Sequence, residues 1–211
     1  MPTKILVINS LADKNSRLTA IFKELEQKNF SFSLWSSKNS LSDQFKKNHW
    51  PVKKIFLGPD LKNRTNILFF IFISLFIQLK LLFSLISLRI KRRVDLIICL
   101  NFNEKIMVTG PAKLLGVKVV WLEAPDLNYR QIDKLLFWLY KINHSLAEMI
   151  AFDGCAKSQL VNLGYKENKI KIIAPGAKLS PYQENIFNKL ASINQANFHR
   201  KYFTVGAIAS L

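Results

Sequence analysis

Short aliphatic and β-branched runs recur along the chain, each followed by a stretch in which apolar residues fall three or four positions apart. The runs are Lys4 to Asn9, Phe30 to Trp35, Val52 to Leu57, Val94 to Leu100, Val117 to Leu122, Leu146 to Phe152 and Lys169 to Ala174. Short runs of this kind separated by helical spacing are how a parallel α/β sheet reads. The intervening spacing predicts helices near 15–28, 40–48, 64–92, 103–115, 130–143, 154–163 and 184–194. Strand and helix in strict alternation give an α/β fold: a Rossmann-like, doubly wound parallel sheet of about seven strands. Gly116 and Gly164 stand where helices should end, and Pro175-Gly176 stops the seventh run.

The segment from Tyr202 to Leu211 reads as a fresh strand entering a loop. A lone strand builds no sheet, so the pattern places a boundary near residue 197. Residues 1–197 are expected to form one domain, and 198–211 the first strand of a second, truncated one.

Residues 67–88 depart from the alternation. They hold 17 Ile, Leu and Phe side chains and as a helix would span about 33 Å, the thickness of a bilayer core. Lys80 near the middle opposes insertion. Strand runs lie on both sides of the stretch, and a spanning helix would separate strands that need to share one sheet. Lys80, Ser84, Ser87 and Lys91 also fall on one helical face. The sequence therefore predicts a long hydrophobic crossover helix that partly covers the sheet and partly meets a membrane interface. Phe72 and Phe76 would enter the apolar layer, with Lys80, Arg89, Arg92 and Arg93 near anionic headgroups.

Charge adds to that picture. Thirty-one Lys and Arg against 14 Asp and Glu leave a net charge of +17, which favours anionic partners without choosing among them. No helix-turn-helix, zinc-ligand or aromatic-basic pattern accompanies the charge, so nucleic acid is not an expected partner. The two cysteines, Cys99 and Cys155, have no metal-ligand spacing and read as free thiols of a reducing compartment. The start Met1-Pro2-Thr3-Lys4 runs straight into a strand and lacks the features of a secretory signal. The expected location is the cytoplasm, at the inner face of the membrane. His49, His144 and His199 lie far apart with no triad or metal arrangement, and no metal site is expected.

Four stretches taken in order resemble the N-terminal domain of the retaining, nucleotide-sugar-dependent glycosyltransferases often called family 4. They are Lys4 to Asn9, Arg93 to Asn101, Gly116 to Glu123, and the run from Ala147 to Lys178 with its Leu163-Gly164-Tyr165 and Lys169 to Gly176. The resemblance implies a GT-B architecture, in which this domain offers its crevice to the acceptor while a second domain holds the nucleotide-sugar. On that likeness the chain would supply the acceptor side of a hexosyltransferase-like enzyme and be inactive as this fragment. The implied partners are a nucleotide-sugar and a lipid-linked or glycan acceptor, with no cofactor beyond the donor substrate.

Polar residues at strand ends are the candidates for that crevice. Asn9, Ser10, Asn101 and Asn103 are expected to bind the acceptor, although Asn and Ser at such places also serve as turn and cap residues. Glu123 and Asp126, just past an apolar run, are the expected catalytic carboxylates, with Asp126 also readable as the signal for the next helix. Two departures from the family stand out. Ser10-Leu11-Ala12-Asp13 replaces the Gly-Gly pair that many relatives carry after the first strand, and Ala124 stands where a His frequently follows the Glu. A different reading makes the chain a membrane-tethered, non-enzymatic protein anchored by residues 67–88.

Overall fold

A computed structural model of the chain describes residues 2–10, 16–38, 40–59, 64–91, 93–123 and 134–173. The strands are β1 (Thr3–Asn9), β2 (Phe30–Ser36), β3 (Val52–Lys54), β4 (Leu96–Cys99), β5 (Lys118–Glu123), β6 (Glu148–Ala151) and β7 (Ile170–Ile172). The helices are α1 (Ser16–Gln27), α2 (Ser40–Lys47), α3 (Arg64–Ile90), α4 (Phe102–Leu114), α5 (Lys134–His144) and α6 (Gly154–Asn162). The boundary expected near residue 197, the helix near 184–194 and the segment 198–211 lie outside the described residues.

All seven strands join one sheet in the order β3-β2-β1-β4-β5-β6-β7, and every neighbouring pair is parallel. This is the Rossmann-like α/β architecture that the alternating pattern predicts. Because side chains alternate across a strand, β1 sends Leu6 and Ile8 to one face, where they meet Leu57, Phe70, Ile77, Leu81 and Leu85. Ile5 and Val7 go to the other face and pack with Leu18, Phe22, Leu41 and Phe45 of α1 and α2. The winding reverses after β3, so α3 covers the opposite face from α1 and α2 and packs along α4.

Helix ends follow the expected chemistry. Gly116 has φ of 67° and Gly164 of 87°, the left-handed conformation that glycine adopts without cost. Around each, two amide N–H groups fold back onto the helix: Gly116 to Lys113 and Val117 to Ala112, then Gly164 to Val161 and Tyr165 to Leu160. These are Schellman caps, and Val117 and Tyr165 are buried beyond them.

The third strand ends sooner than its Val52 to Leu57 run suggests. Ile55 still bonds Ser36, but the chain then leaves the sheet edge so that Leu57 can bury beneath α3. Gly58, at φ of 101°, turns it there; a Cβ at that position would sit 2.7 Å from the Phe70 ring.

Since β3 and β4 belong to one sheet and α3 joins them, α3 runs back across the sheet from carboxyl edge to amino edge. A helix whose two ends feed strands of the same sheet does not cross a bilayer. Its side toward the sheet buries Phe70, Ile77, Leu81 and Leu85, while Phe69, Phe72, Leu75, Phe76, Leu79, Phe83 and Ile90 are exposed.

Candidate functional site

In an open parallel sheet, a crevice forms outside the carboxyl ends of the strands where the winding reverses. Here that point lies between β1 and β4. Asn9 and Ser10 end β1, and Asn101 follows β4 as the residue capping α4. Their side chains meet. Asn101 Nδ2 donates to Asn9 Oδ1 at 2.6 Å and to Glu104 Oε1 at 3.0 Å. The Asn101 amide donates to the same Glu104 oxygen at 2.6 Å, and Ser10 Oγ donates to Glu104 Oε2 at 2.5 Å. Ser37, just past β2, closes the other side, its amide donating to Asn9 O and its hydroxyl to Ser10 O, each at 3.2 Å.

Glu104 is fully buried. Burial pushes its carboxyl above the usual range, while the hydrogen bonds from Ser10 and Asn101 pull in the opposite direction. The net effect is a carboxyl that holds its proton more tightly than a free one, one hydrogen bond from the half-buried Ser10 hydroxyl.

A second polar cluster lies next to the first along the same edge. Lys105 Nζ is 2.9 Å from Glu123 Oε1 and donates to the Leu122 carbonyl at 2.8 Å. Tyr140 donates its hydroxyl to the same Glu123 oxygen at 2.6 Å. The two charged side chains are 0% and 1% exposed. Around them, Phe102 stacks on Tyr140 at 5.1 Å, and Trp121 donates its indole N–H to Thr109 Oγ1 at 2.9 Å. A buried pair of this kind persists only where further hydrogen bonds support it, and here the Leu122 carbonyl and the Tyr140 hydroxyl do so. Behind Tyr140, the hydroxyl of Tyr165 is buried without a hydrogen-bond partner among the described residues. Burial, and then the nearby Glu123 charge, push that phenol upward.

Of the residues singled out in the sequence, Asn9, Ser10 and Asn101 are brought together. Asn103 is two residues further on, in the first turn of α4, and donates to the Pro59 carbonyl at 3.0 Å, tying the loop after β3 to the helix. Glu123 ends β5 with its carboxylate turned inward to Lys105 and Tyr140. Asp126 and Arg92 lie outside the described residues. Phe72, Phe76, Lys80 and Arg89 are exposed on α3, and Arg93 is exposed shortly beyond it.

Glu104, Lys105 and Tyr140 were not singled out. For Glu104 a signal existed: Asn101 followed three residues later by Glu is a capping-box spacing at a helix start. For Lys105 and Tyr140 none did, because their importance comes from Glu123 on a strand across the fold.

Among the described residues, no group of three His, Cys, Asp or Glu is placed to hold a metal ion. Cys99 is a buried free thiol, raised by burial, and Cys155 an exposed one. His144 bonds the Lys141 carbonyl through Nδ1 at 2.7 Å, and burial lowers its pKa, with the Lys169 and Lys141 charges acting in the same direction.

No protein-family model and no curated protein matches the chain. Solved structures do match its fold. The chain is similar to Anabaena HepE in complex with UDP, with a TM-score of 0.61 and 13% identity over 90% of this chain and 50% of that one. A glycosyltransferase from Rickettsia africae gives a TM-score of 0.59 at 15% identity, covering 91% of this chain and 50% of that one. The UDP-GlcNAc 2-epimerase from Methanocaldococcus jannaschii gives 0.56 at 17%, covering 81% of this chain and 45% of that one. The chain thus spans about half the length of these structures, and the likeness establishes a shared fold, that of GT-B neighbours.

Proposed function

We propose that the chain supplies the acceptor-side, Rossmann-like domain of a glycosyltransferase, with a second domain holding the nucleotide-sugar donor. The observation that carries this reading is the network at the switch point: buried Asn9 and Glu104 hold the half-buried Ser10 and Asn101 at the crevice, where a hydroxyl and a carboxamide suit sugar or lipid-alcohol hydroxyls. Support comes from the shared fold of HepE, solved with UDP, of the Rickettsia glycosyltransferase and of the galactosyltransferase WaaB. The ordered family motifs of the sequence add a retaining mechanism to the proposal.

In this mechanism Ser10 and Asn101 orient the acceptor. Glu104 holds the Ser10 hydroxyl in place from behind. Glu123, restrained by Lys105 and Tyr140, is a positioning residue for the end of β5, and Asp126, three residues further on in the sequence, is the other candidate carboxylate. The nucleotide-sugar is the co-substrate and no other cofactor is required. The acceptor is lipid-linked or a glycan, and the site of action is the cytoplasmic face of a membrane.

A second reading has its own support: UDP-GlcNAc 2-epimerases share the fold at TM-scores of 0.56. One experiment separates the two. The protein, joined to its donor-binding half, is incubated with membranes and UDP-sugars labelled in the sugar. Label moving into a lipid or glycan fraction with release of UDP supports the transferase. Label recovered in a different UDP-sugar, with none transferred, replaces it with the epimerase.

A further inference from the structure

At about 3.6 residues per turn, Phe72, Phe76, Leu79, Phe83 and Ile90 lie on the side of α3 opposite Phe70, Ile77, Leu81 and Leu85, which bury against the sheet. A helix apolar all round is ordinarily covered all round, by protein or by lipid. Among the described residues, this one is covered on one side only. Phe72 is 88% exposed, Phe76 72% and Phe83 69%, and a contiguous apolar strip of this kind marks an interaction surface.

The surroundings identify what covers it. Lys80 and Lys91 flank the strip on one side and Arg89 on the other, all exposed. No Asp or Glu occurs between Asp60 and Asp95. Beside the C-terminal half of α3, where the helix leaves β2 uncovered, lies a groove of about 450 Å³. Lys53, Arg93, Ser31, Ser33, Trp35 and Leu88 are among the residues that line it. Lys53 is held over the Trp35 ring, 4.9 Å from the centroid. A lining of basic side chains and hydroxyls suits a phosphate group, and the adjoining apolar strip suits acyl chains.

We propose that the outward face of α3 lies in the interface of an anionic phospholipid membrane, with the Lys53–Arg93 groove receiving a lipid phosphate. A second copy of the chain fits the surface poorly, because α3 and the residue after it carry Lys80, Arg89 and Lys91 with no Asp or Glu, so a two-fold contact along the helix supplies no carboxylate to pair with them. The lipid contact stands apart from the transferase reading and is tested without an activity assay.

The test is co-sedimentation with vesicles of phosphatidylcholine alone and of phosphatidylcholine mixed with phosphatidylglycerol. The protein is expected to sediment with the mixed vesicles and to be released by alkaline carbonate. Replacing Phe72, Phe76 and Phe83 together by Ser should weaken partitioning on the order of 100-fold. Lys53→Gln with Arg93→Gln should weaken binding to the anionic vesicles about 30-fold and binding to phosphatidylcholine by less, because the choline ammonium already neutralises that lipid's phosphate. All substituted positions except Lys53 and Arg93 lie on the outward face of α3, and circular dichroism and thermal melts matching the parent confirm folding. Failure to sediment with either vesicle overturns the proposal. So does retention after carbonate, which indicates a spanning helix, or a dimer that the Phe substitutions dissociate in the absence of lipid.

Discussion

At the carboxyl edge of the sheet, Glu104, Lys105 and Glu123 lie inside the protein with their charges and protons matched by neighbours. Along the outer side of α3, large aromatic side chains lie in the open with no partner among the described residues. Charge is ordinarily exposed and Phe ordinarily buried, so each region reverses the usual preference. The reversals differ in kind. A buried ion pair is satisfied by its own fold, so disturbing it should be felt as lost stability. An exposed apolar strip is satisfied by something outside the fold, so altering it should be felt as lost association.

That contrast can be broken most sharply at Lys105. Lys105→Met removes one partner and leaves Glu123 buried and uncompensated, which should cost about 3–5 kcal/mol of unfolding free energy in a urea titration. Adding Glu123→Leu should recover part of the loss, because no uncompensated charge then remains. A single variant indistinguishable from the parent would show that water reaches the pair. Tyr140→Phe removes one hydrogen bond to the same carboxylate and should cost about 1.5–3 kcal/mol by the same titration.

Glu104 gives a smaller, pH-dependent effect. Its pKa is raised in the folded protein, so its contribution to stability is fully present below the ordinary value of 4.5 and declines as pH rises through the folded value. Urea midpoints should therefore fall over that window in the parent, and Glu104→Gln should remove this part of the slope. At the small end, Phe76→Ser should change unfolding free energy by no more than about 0.5 kcal/mol, since its side chain has no packing to lose. A larger destabilisation, read from the same titrations, would mean the strip is covered by the protein itself.

Much of the architecture could be read along the chain because each signal was local. A run such as Lys4 to Asn9 becomes β1 with one residue added, and Gly116 and Gly164 cap helices because only two or three neighbouring residues decide a Schellman turn. The third strand was over-read, since whether Ile55 to Leu57 stays in the sheet depends on Phe70, on the inner side of α3, where Leu57 buries. The long apolar stretch announced a helix but not which side would be covered: with apolar residues all round, only the tertiary fold can choose. Within the crevice, the nearness of Ser10 to Asn101 followed from strand ends meeting at a switch point. The inward turn of Glu123 did not, because it depends on Lys105, a residue whose burial no local pattern forecasts.

If α3 lies in the membrane plane, the strands run along the surface and the crevice opens sideways, toward an acceptor carried in the same membrane. The central claim is that this crevice holds the acceptor while the donor is held elsewhere. Ser10→Ala in the protein carrying its donor-binding half tests it most directly, with transfer rates measured against each substrate in turn. The account predicts an acceptor KM raised about tenfold, the equivalent of one lost hydrogen bond, with the donor KM unchanged. A raised donor KM with an unchanged acceptor KM would contradict it.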